Sequence, residues 1–165
     1  MWIIRRYDSA DLPHVYRVHD LARVVELARG GVDPRAFRPM EEVADADEFF
    51  VSETLVACDG PNVIGFVSWK GDYITWLYVE PSYHRRGIGR RLLNEALRSI
   101  GPEAWTNTLG GNEAAVSLYR DAGMKVASSR SDEYEGNSFT SLRLALPTSR
   151  MHTSSVVGDA NEKDE

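Results

Sequence analysis

At 165 residues, 42% hydrophobic and 27% charged, the chain has the size of one globular domain with one continuous core. A net charge of −6 argues against a broad basic surface for nucleic acid. No apolar run approaches the roughly 20 residues needed to span a bilayer, and the start MWIIRRYDSAD lacks the apolar core of a signal peptide, so a cytoplasmic protein with no membrane association is expected. The single cysteine, Cys58, has no internal partner and sits in a strand-like run, which reads as a buried inert thiol.

Residues Trp2 to Tyr7 alternate weakly and predict a first strand. Asp8 and Asp11 then suit the start of a helix whose first turn tolerates Pro13. Leu12, Val15, His19, Ala22 and Val25 recur at helical spacing up to Gly30 and Gly31, with a break expected near Asp20. The loop GVDPRAFRPM leads into an acidic segment, Glu41 to Phe50, expected to be helical. From Thr54 the pattern turns to strands: TLVACD, a turn at Gly60 and Pro61, NVIGFVSW, a turn at Gly71 and Asp72, then Ile74 to Val79. Together these predict an antiparallel meander.

Pro81 ends the third meander strand, and Gly87 and Gly89 follow in a turn carrying Arg85, Arg86, Arg90 and Arg91. The next helix places Leu92, Leu93, Ala96, Leu97 and Ile100 on one face, with Arg91, Asn94, Glu95 and Arg98 on the other, and stops at Gly101 and Pro102. Free N–H groups and the positive helix end make the turn a phosphate cradle. Charges further apart than about 8 Å are largely screened, so this local cluster attracts an anion even on an acidic protein. Ala104 to Leu109 predicts a strand parallel to its predecessor through a right-handed crossover. A helix then runs through NEAAVSLYRDAGM, capped by Asn112 and stopped at Gly123, with Ala115, Leu118, Tyr119 and Ala122 on one face. Met124 to Ser129 and Phe139 to Leu146 predict a closing hairpin around a polar loop from Glu133 to Asn137. Residues 148–165 are polar and aperiodic and read as a disordered tail after a domain over 1–147.

Which phosphate ligand the cradle takes depends on its glycine spacing. A P-loop would need GxxxxGK followed by Ser or Thr, which is absent. A dinucleotide turn GxGxxG begins at Gly87 and Gly89 but has Leu92 where the third glycine belongs. The run HRRGIGRRLL after LYVEP resembles instead the acyl-CoA motif of the GNAT superfamily of N-acetyltransferases, and NEAAVSLYRDAGM resembles that family's second motif. The family's usual Gln or Arg three residues before the first glycine is His84 here, and an imidazole still donates a hydrogen bond.

The resemblance implies an α/β fold with a mixed, mostly antiparallel sheet of six or seven strands, flanked by about four helices and splayed between the fourth and fifth strands. It implies acetyl-CoA as cosubstrate, with the backbone of Leu77, Tyr78 and Val79 pairing with the pantetheine, and with a strand bulge expected around Glu80. The N–H groups of Arg85, Arg86, Gly87, Ile88, Gly89 and Arg90 would surround the diphosphate. Asn112 would contact CoA or a bound water, while Tyr119 binds CoA and protonates the departing thiolate. That proton transfer is uphill by about 2 kcal/mol from a phenol near 10 to a thiol near 8.5. The alternative for Tyr119 is plain core packing.

The general base is not specified by the motifs. The family often has a glutamate on a central strand, but the matching positions are Tyr73 and Thr106, which leaves Glu80, Asp72, Glu53, Glu133 or a water chain. Deprotonating a lysine-type amine costs about 4.6 kcal/mol at neutral pH against about 1.4 for an α-amine, which favours an acceptor of low pKa. The four histidines lack metal-ligand spacing, so no metal is expected. The expected acceptor is a small-molecule amine, with a protein N-terminus or lysine as runner-up and a non-catalytic acyl-CoA-binding module as the reading from another class. Specificity is expected from the Phe37 region and the Tyr134 loop. Assembly as a homodimer is left open, and an activity on aminoacyl-tRNA is disfavoured by the acidic balance.

Overall fold

The computed structural model describes residues 1–147, so the tail expected over 148–165 lies outside the described residues. Seven strands form one sheet in the order β1-β2-β3-β4-β5-β7-β6. In chain order the elements are β1 (Trp2–Arg6), α1 (Leu12–Arg29), α2 (Met40–Val43), β2 (Glu53–Asp59), β3 (Asn62–Lys70) and β4 (Tyr73–Val79). After them come α3 (Ile88–Ile100), β5 (Trp105–Leu109), α4 (Glu113–Asp121), β6 (Lys125–Tyr134) and β7 (Asn137–Ala145). All neighbours are antiparallel except β4 and β5, which run parallel. This is the mixed α/β sheet with four helices that the sequence predicts, and among the described residues no helix is long and apolar enough to cross a membrane.

Each face of the sheet has its own core. Ile64, Val67, Ile74, Leu92, Leu93 and Tyr119 pack together on the α3 face, whereas Val15, Val18, Phe49, Phe66 and Trp76 pack on the α1 face. The expected break in α1 near Asp20 does not occur, because no proline or glycine interrupts the chain between Pro13 and Gly30. Asp20 instead turns outward to accept hydrogen bonds from the Met40 N–H (2.9 Å) and from His19 Nδ1 (2.8 Å), docking the next segment on α1. The helix expected over Glu41 to Phe50 shrinks to one turn. Glu48 adopts a left-handed conformation (φ 63°), which rephases the chain so that Met40, Ala44 and Phe49 all reach the core.

Strand β4 carries the feature that makes a site. Ser68 pairs with Trp76 and Trp69 with Ile74, so Thr75 is an extra residue in the ladder. Past this bulge the strand changes phase: Ile74 belongs to the α3-face core, yet Trp76 lies on the α1 face with Tyr78 packed beside it. Pairing with β5 is confined to Tyr73 with Trp105 and Ile74 with Thr106. The bulge therefore sits at Thr75, not around Glu80, and the splay opens immediately beyond Ile74. The closing hairpin is also longer than predicted. The residues expected as a polar loop extend both strands up to a two-residue turn in which Glu135 (φ 45°) and Gly136 (φ 81°) are both left-handed.

Candidate active site

The N-terminus of α3 forms one wall of the site. Arg85 (φ 63°) and Gly87 (φ 82°) are left-handed on either side of Arg86, which curls the backbone into a concave nest. The N–H groups of Gly87, Ile88, Gly89 and Arg90 find no backbone carbonyl among the described residues, since the first bond of the helix runs from the Arg91 N–H to Gly87 O (3.1 Å). Positive helix-end charge and unpaired donors thus converge on one point. The arginine side chains divide. Arg86 lies over the Tyr83 ring (4.9 Å) and Arg91 over Trp2 (5.2 Å), whereas Arg85 and Arg90 line the cavity, Arg90 also reaching Asp121 (3.4 Å).

Strand β4 forms the second wall. The Glu80 N–H donates to Ile64 O (2.8 Å), which fixes the phase of the ladder so that Tyr78 also turns its backbone to β3. Leu77 and Val79 therefore present theirs to the gap where β5 has departed, and the Tyr78 backbone does not. The Val79 carbonyl is met by His84 Nε2 at 2.9 Å, so His84 ties the end of the strand to the turn that follows. At the apex of the splay, Thr106 Oγ1 donates to Ile74 O (3.0 Å). Cradle and gap open into one cavity of about 1150 Å³.

Helix α4 brings Tyr119 into this cavity from the α3 face. Its ring is 6% exposed within the core, so the packing role expected of it is real, yet it also lines the cavity. Burial pushes its hydroxyl well above the usual phenol range, with the Glu26 carboxylate adding to the rise and the nearby Thr106 offsetting part of it. Asn112 caps α4 as predicted, accepting from the Ala115 N–H (3.4 Å), and it too faces the cavity.

From the opposite face α1 contributes Glu26, a residue that no motif singled out. The Tyr78 hydroxyl donates to Glu26 Oε1 (3.2 Å), and Arg23 pairs with the same oxygen. Burial holds the Tyr78 hydroxyl far above its ordinary value, and the neighbouring Glu26 carboxylate adds to the rise. It also raises Tyr119, so the carboxylate lies within electrostatic reach of both rings. Its only signal in the sequence is helical spacing, four residues after Ala22 and seven after His19. Of the base candidates raised from sequence, none lines the cavity. Glu80 pairs with Arg17 (3.0 Å), Asp72 and Glu53 border a separate hollow beside Trp69, and Glu133 lies on the polar strand β6.

The segments expected to set specificity meet each other. The Tyr134 hydroxyl donates to Arg35 O (2.9 Å), Asn137 to Asp33 (3.2 Å), and Arg35 pairs with Glu135 (2.9 Å), which joins the β6–β7 tip to the loop between α1 and α2. Ala36 and Arg38 of that loop line the cavity; Phe37 packs instead against Leu27, Val32 and Leu109. Among the described residues there is no group of three or more His, Cys, Asp or Glu placed to hold a metal ion.

Residues 49–125 match the family model described as Acetyltransferase (GNAT) domain. Peptidyl-lysine N-acetyltransferase YjaB of Escherichia coli is 34% identical over 82 residues, covering 50% of this chain and 55% of that protein; its Salmonella typhimurium counterpart is 29% identical over 89 residues, 54% and 61% of the two chains. The chain thus spans little more than half the length of these curated relatives. Among solved structures, the ribosomal-protein-S18-alanine N-acetyltransferase of Escherichia coli superposes with a TM-score of 0.70 at 22% identity, over 89% of this chain and 94% of that one. The apo form of Escherichia coli YjaB gives 0.61 at 23%, over 88% and 97%. These likenesses establish the fold.

Proposed function

We propose that this chain, a member of the GNAT acetyltransferase family through its domain at residues 49–125, transfers the acetyl group of acetyl-CoA to a primary amine by direct attack in a ternary complex. One observation carries the reading. The backbone of Leu77 and Val79, the unpaired N–H groups from Gly87 to Arg90, and the Tyr119 hydroxyl all face one cavity. The cradle would hold the diphosphate, and the exposed edge of β4 would pair with the pantetheine amides. Arg85, Arg86, Asn112 and Ile88 complete the expected contacts. The Val79 N–H stands where an oxyanion formed in the gap would accept it. Tyr119, kept protonated by burial, supplies the proton that the thiolate takes up as the C–S bond breaks.

The functional domain is proposed to extend over 1–147, because α1 and the β6–β7 hairpin lie outside the family match yet close the site. A small-molecule amine is the acceptor favoured by the joined hairpin tip and loop, which fence the cavity beside Ala36 and Arg38. A peptide amine is the second reading, supported by the printed activities of the relatives, peptidyl-lysine and ribosomal-protein-alanine acetylation. Thiol release from acetyl-CoA across small amines and peptides tests the proposal. Wild type is expected to release thiol with at least one amine. Tyr119→Phe is expected to lose about 10²-fold in rate with CoA affinity retained. Tight CoA binding without release in any arm would instead indicate an acyl-CoA-binding module.

A further inference from the structure

We infer that Glu26 is the acceptor-ammonium site of this cavity and the base that takes the amine's proton, an inference that rests on the acetyltransferase reading. Among the described residues four carboxylates line the cavity: Glu26, Asp47, Glu48 and Asp121. Glu48 is paired with Lys70 (2.6 Å) and Asp121 with Arg90, both at exposed positions, and Asp47 is exposed at the rim. Glu26 differs in burial, with a side chain 19% exposed, and in its neighbours. Both of its protein contacts, from Arg23 and from the Tyr78 hydroxyl, fall on Oε1. Oε2 receives no hydrogen bond from the described residues and is the free acceptor of the site.

The surroundings suit a cationic amine with an organic body. Thr75 Oγ1, from a residue on the cavity wall, is buried without a partner among the described residues, and a hydroxyl oxygen can accept from an ammonium. Trp76, Tyr78 and His19 form an aromatic cluster at 4.9 to 6.3 Å between ring centres. The charged and titratable groups facing Glu26 are Arg23 and His19 from its own helix, Tyr78 from β4 and Tyr119 from α4. Burial lowers the affinity of His19 for a proton, which leaves the imidazole neutral and the carboxylate available.

The proton balance follows from this placement. The ammonium docks on Oε2 and loses one proton to solvent, and the neutral nitrogen attacks the acetyl carbon, forming the C–N bond. Glu26 accepts the second N–H proton from the tetrahedral intermediate. The C–S bond then breaks, the thiolate takes the proton of Tyr119, and the phenolate is reprotonated by the proton that leaves Glu26 through water. The net products are the amide, CoA thiol and one proton.

The experiment is calorimetric binding of lysine amide, alaninamide and putrescine to the CoA-loaded chain, run beside thiol release from acetyl-CoA. Wild type is expected to bind at least one amine, Glu26→Gln to bind it about tenfold or more weakly with unchanged CoA affinity, and Glu26→Asp to recover part of the loss. Asp47→Asn is expected to bind as wild type does. The inference is overturned if Glu26→Gln binds the amines as tightly as wild type, or if none of the three binds wild type. It is likewise overturned if Glu26→Gln loses CoA affinity, which would assign Glu26 to holding the fold. Glu26-dependent amine binding without any thiol release would sustain the ammonium site and refute the transferase reading.

Discussion

The end of α1 rests on the β5–α4 turn with no room for a side chain, and Gly111→Ala tests what that contact does. A Cβ at Gly111 would lie 2.9 Å from Arg29 O, 3.1 Å from Gly30 Cα and 3.2 Å from Gly30 C. All three are backbone atoms, so no rotamer change relieves the overlap. Either α1 lifts or the turn carrying Asn112 shifts. Overpacking of this kind costs about 1–3 kcal/mol, which for a domain of this size lowers Tm by roughly 2–12 °C. Glu26 lies one turn before Gly30, whose N–H donates to Glu26 O (2.9 Å), so lifting the helix end also moves the carboxylate over the gap. Acyl transfer is expected to fall about 10²-fold, the effect of a misplacement near 1 Å. Gly110→Ala is the control. Its Cβ would meet Thr140 at 3.4 Å, an ordinary contact, and it should cost less than about 1 kcal/mol. Scanning calorimetry and single-turnover transfer on both variants decide the matter. Equal Tm values for the two, or full activity in Gly111→Ala, would refute the clamp.

Two further predictions concern the site walls. Tyr78 and Tyr119 are both raised by burial, so above pH 10 the unfolded chain ionises these phenols while the folded chain holds their protons. Stability is therefore unaffected by them below pH 10 and declines above it, by about 1.4 kcal/mol per pH unit for each tyrosine. Urea unfolding at pH 9 to 11 is expected to show their contribution to the slope, with Tyr119→Phe removing about 1.4 kcal/mol per pH unit of it; an unchanged slope would mean that the Tyr119 ring ionises freely in the folded state. His84→Ala removes the bond to Val79 O at a stability cost of about 1 kcal/mol and is expected to weaken CoA binding several-fold, with His84→Gln restoring it. Equal CoA affinity in wild type and His84→Ala would show that this bond does not order the cradle.

The parts of the fold that were legible are those set by local chemistry. Gly60 and Gly71 supply the left-handed residue that each hairpin turn requires, Asn112 caps its helix, and Gly87 permits the turn before α3. What escaped is set by tertiary context. The bulge at Thr75 exists because β4 must serve the α3-face core through Ile74 and the α1-face core through Trp76, and no local signal marks it. Strand β6 escaped from Arg130 onward because it is an edge strand with little buried on either face, which leaves no alternation to read. Glu26 escaped because its partner Tyr78 is 52 residues away in sequence and meets it only once α1 lies across β4.

The splay has a consequence beyond room for a ligand. Tyr119 belongs to the core on the α3 face, and Tyr78, which holds Glu26, packs on the α1 face. A continuous sheet would separate these two groups by a layer of paired backbone. The departure of β5 beyond Ile74 removes that layer, and there alone the Glu26 carboxylate comes within electrostatic reach of the Tyr119 ring. In the proposed mechanism, proton acceptance from the amine and proton delivery to the sulfur would thus fall on opposite faces of one sheet and meet in the gap beyond Ile74. Repulsion from an ionised Glu26 adds to burial in holding the Tyr119 proton, and it is relieved once the carboxylate has taken up a proton, so the phenol becomes the stronger acid only after that step. Neutralising Glu26 should accordingly make the Tyr119 hydroxyl easier to ionise. Ultraviolet titration of Glu26→Gln against wild type measures this directly, with a lower alkaline midpoint expected in the variant and an unchanged one counting against the coupling.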